Sequence, residues 1–301
     1  MTRRGLLLFA AMCVIWGIPY LLIRVAVSEL SPATLVFLRT GVAALILMPV
    51  VLARGGLRGI GNRWPALVVF AGVEVAIPWL MLSNAEQHIS SALAGLLVSA
   101  VPLVGVLIAT SLGNREHLAI GSMSGLLLGL AGVALIVGFD LRASDGLAFV
   151  EMAVVVIGYA LGPAILARYL GGVPSVTVMG IALALCAIAY APAAALQWPH
   201  TIPGWNVIGS VVVLAVVCTA LAFLLFFELI GEVGPVRATV ITYVNPAVAA
   251  ALGVAVLRES LTVGMGLGFG LVLAGSILAT RRKQATEAPQ RLPEARPGEA
   301  L

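Results

Sequence analysis

Charge is scarce in this chain, and that scarcity decides its class. Acidic and basic residues fill 10% of the 301 positions against 61% apolar, and the mean hydropathy is +1.12. Such a composition cannot clothe a globule in water, so a soluble domain is excluded and a polytopic membrane protein is expected. Lysine is almost missing, with one against sixteen arginines. Histidine and cysteine are equally sparse. His88, His117 and His200 fall in predicted loops, and Glu86 and His88, two apart, would point away from each other on a helix. An integral-membrane hydrolase needs clustered His, Asp or Glu ligands, or a nucleophile with a placed base, and neither is present. Cys13, Cys186 and Cys218 lie in apolar runs with no ligand spacing and read as small packing residues. No phosphate-cradling Gly-rich loop with its lysine occurs, so ATP is not the expected driver. No metal and no cofactor is expected.

What is present is a repeat. Pro19, Arg24 and Pro102 recur as Pro163, Arg168 and Pro246, 144 positions later. After a one-residue slip, Arg115, Glu116, Gly121, Gly125 and Gly132 recur as Arg258, Glu259, Gly264, Gly268 and Gly275, 143 later. A hydrocarbon core of about 30 Å takes roughly 20 apolar residues per helix. Ten segments qualify: 5–27, 33–53, 65–85, 90–112, 118–138, 147–169, 174–196, 206–230, 236–257 and 262–280. Five crossings per copy are an odd number, so the second copy is predicted to lie inverted relative to the first, an architecture of many secondary transporters. Met1 to Arg4 followed by an apolar run imitates a signal peptide. The run is too long and holds Trp16-Gly17 and Pro19, so an uncleaved first helix is expected.

Of the 17 basic residues, 13 fall on one side of this ten-span arrangement, which places both termini in the cytoplasm of a cell (inner) membrane. Topology thus explains the net charge of +4 better than a nucleic-acid partner does. The bilayer and a small molecule are the expected partners. Gly121, Gly125 and Gly129, like Gly264 and Gly268, have the four-residue spacing of close helix packing, with a homo-oligomer contact as the alternative.

Ala85 to Gly132, with Ile89-Ser90-Ser91-Ala92, Pro102 and Glu116, resembles the end of an EamA domain. So does Leu229 to Gly275, with Val233-Gly234-Pro235, Pro246 and Glu259. Trp16-Gly17 and Pro32 followed by Arg39 are similar to the family as well, and the chain is identified as a member of the drug/metabolite transporter superfamily. The resemblance implies an all-α integral membrane fold of ten transmembrane helices, as two inverted five-helix EamA repeats around a central cavity, with no ATP-binding module. The repeats are expected at residues 1–139 and 146–281, with a disordered cytoplasmic tail at 282–301. Two departures from the family stand out. The second repeat lacks an arginine matching Arg39, and Glu74 replaces a residue that is usually small or apolar.

Those two residues are the first site candidates. A charge within a span costs at least about 2.5–3.5 kcal/mol, so it normally has a partner or faces water. Glu74 lies about ten residues into its helix, near the midplane, and Arg39 about six residues into its own. Glu74 reads either as a proton carrier or ammonium site, or as half of a packing ion pair with Arg39. Glu151, Glu228, Arg24 and Arg168 lie near span ends, where snorkelling or interfacial anchoring is expected. Prolines 102 and 246 are expected at the cavity wall, with Tyr243 and Asn245 beside the latter. Asn245 has two readings, substrate orientation and a helix-to-helix hydrogen bond. Trp16, Tyr20, Trp79 and Tyr159 either line an apolar pocket or pack between helices.

The expected function is secondary transport that needs no ATP: export of amino acids or related small metabolites by alternating access, proton-linked or facilitative. The repeat supports transport; direction and substrate class rest on the resemblance alone. A pore or a non-transporting receptor is the alternative, and an enzyme the remote one.

Overall fold

A computed structural model describes residues 2–53, 55–56, 60–111, 120–140 and 146–280. The described residues form helices and no strands. This agrees with the composition, because in hydrocarbon a helix satisfies its own backbone groups without a neighbour. Seven helical stretches are long and apolar enough to cross a membrane: Arg3–Ala26, Pro32–Ala53, Gly61–Ala85, Ser91–Ser111, Gly146–Tyr169, Ser175–Leu196 and Trp205–Val233. Ile120–Asp140, Ile241–Leu257 and Val263–Thr280 supply three further helices whose apolar parts are shorter. In chain order these ten are called the first to the tenth segment. Arg115, Glu116, His117, the 141–145 link and the 282–301 tail lie outside the described residues.

Local chemistry sets several ends. Thr2 caps the first segment by accepting from Gly5 N at 3.0 Å, and Ser90 caps the fourth by accepting from Leu93 N at 3.1 Å. Gly234 closes the eighth at φ +82°, a left-handed turn that the following Pro235 makes abrupt. The prolines act unequally. The first segment breaks between Ile15 and Pro19, and the fourth between Val98 and Val101, just before Pro102. Their repeat mates Pro163 and Pro246 sit inside helices that the structure carries through unbroken.

The packing pairs the halves. The fifth segment lies along the tenth, the second along the seventh and the fourth along the ninth; the third packs on the sixth as the first does on the eighth. Each contact maps onto itself or onto another when the first five segments are exchanged with the last five. The fifth and tenth meet backbone to backbone. A Cβ at Gly132 would stand 2.6 Å from Gly268 O, and one at Gly275 would stand 2.4 Å from Gly129 N. The glycine spacing therefore serves close packing within one chain. Outside, large apolar side chains such as Leu45 and Ile188, 76% and 70% exposed, are what a lipid-facing surface requires. Trp64, Trp198 and Trp205 are exposed at helix starts and in a loop, where an aromatic belt would lie.

Candidate functional site

Two segments leave the α-helical register at corresponding places. Ala71–Ala76 in the third and Val216–Leu221 in the eighth are π-helical, 145 positions apart. The wider turn of a π-helix leaves a carbonyl and a side chain displaced from the regular ladder, a feature common at functional sites. Glu74 occupies the fourth position of one and Thr219 the fourth of the other. The first packs against the seventh segment and the second against the second segment, so the two bulges occupy matching environments.

Thr219 is fully buried, donates its hydroxyl to Leu214 O at 2.7 Å, and accepts from Arg39 Nε at 2.9 Å. The Arg39 guanidinium lies 3.7 Å from the ring centroid of Trp79, a cation–π contact in a desolvated setting. Tyr20, Tyr159 and Cys218 lie within electrostatic reach of the same guanidinium. Arg39 thus reaches across the repeats, and among the described residues it does so without a carboxylate within 4 Å. The structure does not pair Arg39 with Glu74.

Glu74 is half-buried, with its Oε2 wholly enclosed and lacking a hydrogen-bond partner among the described residues. The carboxyl presses on the sixth segment at Gly162, where a Cβ would come within 1.7 Å of Oε2. Any larger residue there would push the carboxyl out of its place. Tyr159, three residues earlier on the same segment, lies within electrostatic reach of Glu74 and of Arg39. Tyr20, Arg39, Trp79 and Tyr159 therefore gather in one group, and Glu74 borders it through Tyr159.

The other predicted residues are placed elsewhere. Trp16 packs on Phe223 and Phe226 of the eighth segment, at centroid distances of 5.7 and 4.7 Å. Asn245 is buried, and its amide, oriented by its hydrogen bonds, donates at 3.0 Å to Ile241 O and to Cys13 O of the first segment. That is the helix-to-helix reading. Pro246 is buried beside it, while Tyr243 and Pro102 are half-buried. A cavity of about 380 Å³ opens at the bundle end that holds residues 88–90 and 258–262, and none of the ten predicted site residues lines it.

Two acidic residues near that end behave unlike the sequence expectation. Glu151 does not snorkel: it is 6% exposed, and Asn84 of the third segment donates to its Oε1. Glu86, given no role beyond its spacing from His88, is fully buried with both carboxyl oxygens lacking partners among the described residues. Arg24 donates to its backbone oxygen instead. Burial, reinforced by Glu259 and opposed by Arg24 and Arg39, holds the Glu86 carboxyl well above the usual range. The signal in the sequence is its position: one residue past a span, it inherits the burial of the helix end. By contrast Glu228 is exposed and pairs with Arg4 at 2.8 Å, as an interfacial residue should.

The chain matches the EamA-like transporter family over residues 3–138 and 147–281. It is similar to an uncharacterized transporter, YvbV, of Bacillus subtilis (strain 168), with 29% identity over 136 residues. That match takes in 45% of this chain and 44% of the relative, less than half the length of either. A solved crystal structure at 22% identity superposes with a TM-score of 0.66, covering 92% of this chain and 96% of the other, a likeness of fold. Two tandem matches to one family, spanning nearly all of an apolar chain whose described residues are helical, agree with the internal repeat, and the chain is a multi-pass membrane protein that belongs to the EamA-like transporter family of the drug/metabolite transporter superfamily.

Proposed function

We propose that this transporter is a secondary exporter of amino acids or related small metabolites, driven by protons taken up and released at Glu74. Ten spans, in two inverted halves, rock about a central site to expose it to each side in turn. The observation that carries this reading is the enclosed Glu74 Oε2, unpartnered among the described residues, in one of two matched π-helical segments. A carboxylate that stays charged needs donors, whereas one that cycles a proton must be free of them in at least one state.

Arg39 is already held by Thr219 and Trp79, so it offers a substrate carboxylate a charge fixed in place. Tyr20, Trp79 and Tyr159 supply ring surface beside that charge. An amino-acid-sized molecule fits such a set: its carboxylate at Arg39, its apolar part against the rings and its ammonium toward Glu74. Trp16, Pro102, Tyr243, Asn245 and Pro246 shape the surrounding helices. The arginine bias puts both termini in the cytoplasm of the inner membrane.

Radiolabelled amino acids offered singly to proteoliposomes loaded with the same unlabelled compound test the substrate class. Saturable, counterflow-stimulated uptake of some of them is expected. Flux that neither saturates nor responds to internal substrate would make the protein a pore.

A further inference from the structure

At the end of the bundle predicted to face outward, a contact bridges the two repeats. Glu259, just past the ninth segment, accepts from Ser91 N at 2.9 Å, Ser91 Oγ at 3.0 Å and Ala92 N at 2.9 Å. It therefore caps the start of the fourth segment, where helix-end N–H groups favour an anion. Arg258 turns the chain into position at φ 55°, a left-handed conformation that a non-glycine residue adopts at a cost. A Cβ on Gly253 would stand 2.4 Å from Glu259 Oε2 and 3.0 Å from Ser91 Oγ, so the ninth and fourth segments must lie close for this latch to form. The cavity at this end runs beside it, lined by His88, Ser90, Leu93, Arg258, Glu259 and Met265.

Glu86 is within electrostatic reach of Glu259, and the two carboxyls have opposite circumstances. Glu259 accepts three hydrogen bonds. Glu86 is fully buried, with neither oxygen hydrogen-bonded among the described residues. Arg24, close enough to donate to the Glu86 backbone oxygen, does not take the carboxyl. A bare buried carboxylate beside a second one is unfavourable, whereas a protonated one is tolerated. Among the described residues, the groups facing it from other elements are Tyr20 and Arg24 on the first segment, Arg39 on the second, Tyr159 on the sixth and Glu259. Its own neighbour His88 is exposed.

We propose that Glu86 is a proton-binding site distinct from Glu74, and that its proton keeps the Glu259 latch, and with it the outer mouth, closed. The inference rests on the alternating-access reading. When Glu86 loses its proton to the outside, two carboxylates face each other and the latch lets go of the fourth segment. When it regains the proton, the repulsion ends and Glu259 returns to Ser91 and Ala92. The sign is set by that cycle: the proton-bound latched form is favoured at low pH and is lost as pH rises through the elevated titration of Glu86.

Two measurements on the full chain in nanodiscs, neither requiring a substrate, test this. Spin labels at Gln87→Cys and Val263→Cys, both exposed, straddle the latch once Cys13, Cys186 and Cys218 are replaced by alanine. The expected distance distribution is short in acid, gains a longer population as pH rises, and stays short at every pH in Glu86→Gln. A pH-independent distribution in the otherwise unaltered chain, or an unchanged pH response in Glu86→Gln, overturns the proposal. Loss of the response in Glu74→Gln with its retention in Glu86→Gln also overturns it while leaving coupling through Glu74 standing.

If Glu86→Gln does not fold, infrared titration decides. A protonated-acid carbonyl band should disappear with rising pH, and its midpoint should fall in Glu259→Gln, where the neighbouring charge is removed. A midpoint unmoved in Glu259→Gln contradicts the paired-carboxyl site.

Discussion

At the scale of single residues, the electrostatics of the described residues are arranged around one fixed cation, Arg39, and three carboxyls with an enclosed, unbonded oxygen, those of Glu74, Glu86 and Glu151. Arg39 is fixed by a hydroxyl and an indole. Thr219→Val keeps the shape but leaves a charged buried donor unpaired, so it should cost about 1–3 kcal/mol, read from reversible unfolding in mixed micelles. Gly162→Ala is the sharper test of Glu74. The added methyl group collides with the flexible carboxyl end, which can move aside, so the expected outcome is a folded protein with strongly reduced proton-driven flux. Unaltered flux in Gly162→Ala would mean that the carboxyl position is immaterial. That Arg39 and Glu74 stand apart is legible in the sequence, because charge in a span is costly. Their partners are not: Thr219 is 180 positions from Arg39, and span depth alone suggests an ion pair that does not form. Glu86 and Glu151 are hidden for a related reason. Proximity to a span end reads as access to water, whereas neighbouring helices bury both.

At the scale of helices, register is what the sequence conveys least. The glycines of the fifth and tenth segments are legible as a close-packing pattern, since four-residue spacing puts them on one face. Gly275→Ala would drive a Cβ into Gly125 O and Gly129 N, both backbone atoms that cannot rotate away. A loss of about 1–3 kcal/mol, seen as a lower midpoint of thermal unfolding, is expected from such overpacking. The same substitution at Gly138, where nothing lies within 4 Å of the added carbon, should leave the midpoint unchanged. Prolines within spans read alike in the sequence, each a site of bending. Pro19 and Pro102 sit at breaks and Pro163 and Pro246 do not, because the effect of a lost N–H bond depends on which neighbours can take the freed carbonyl. The π-helical segments carry no mark in the residue pattern at all. They are evident only as a pair at matched positions, in Ala71–Ala76 and Val216–Leu221.

At the scale of the whole molecule, the repeat is legible because two copies of one unit keep prolines and arginines 144 positions apart and, after a one-residue slip, glycines 143 apart. The tandem family match follows the same division, at 3–138 and 147–281. Asymmetry between the copies is where the chemistry concentrates. Arg39 has no counterpart, and the fourth place of the matched π-helical segment, held in the second copy by the Thr219 that binds that arginine, is Glu74 in the first. Both charges belong to the first half, and the second half supplies their surroundings, Thr219 holding Arg39 and Gly162 lying against the Glu74 carboxyl. The ends are tied across the halves too, by Arg4 to Glu228 on one side and by Glu259 to Ser91 and Ala92 on the other. The first pair is exposed and should be worth roughly 0–1 kcal/mol, so Glu228→Gln should alter transport little, as initial uptake rates would record.

Proton coupling through Glu74 is tested most directly by uptake into proteoliposomes with and without an imposed pH gradient, comparing the unaltered chain with Glu74→Gln. Gradient-stimulated uptake that disappears in Glu74→Gln, with gradient-free exchange of the same compound preserved, is the predicted result. Equal stimulation by the gradient in both proteins would contradict it and leave Glu74 as a packing residue.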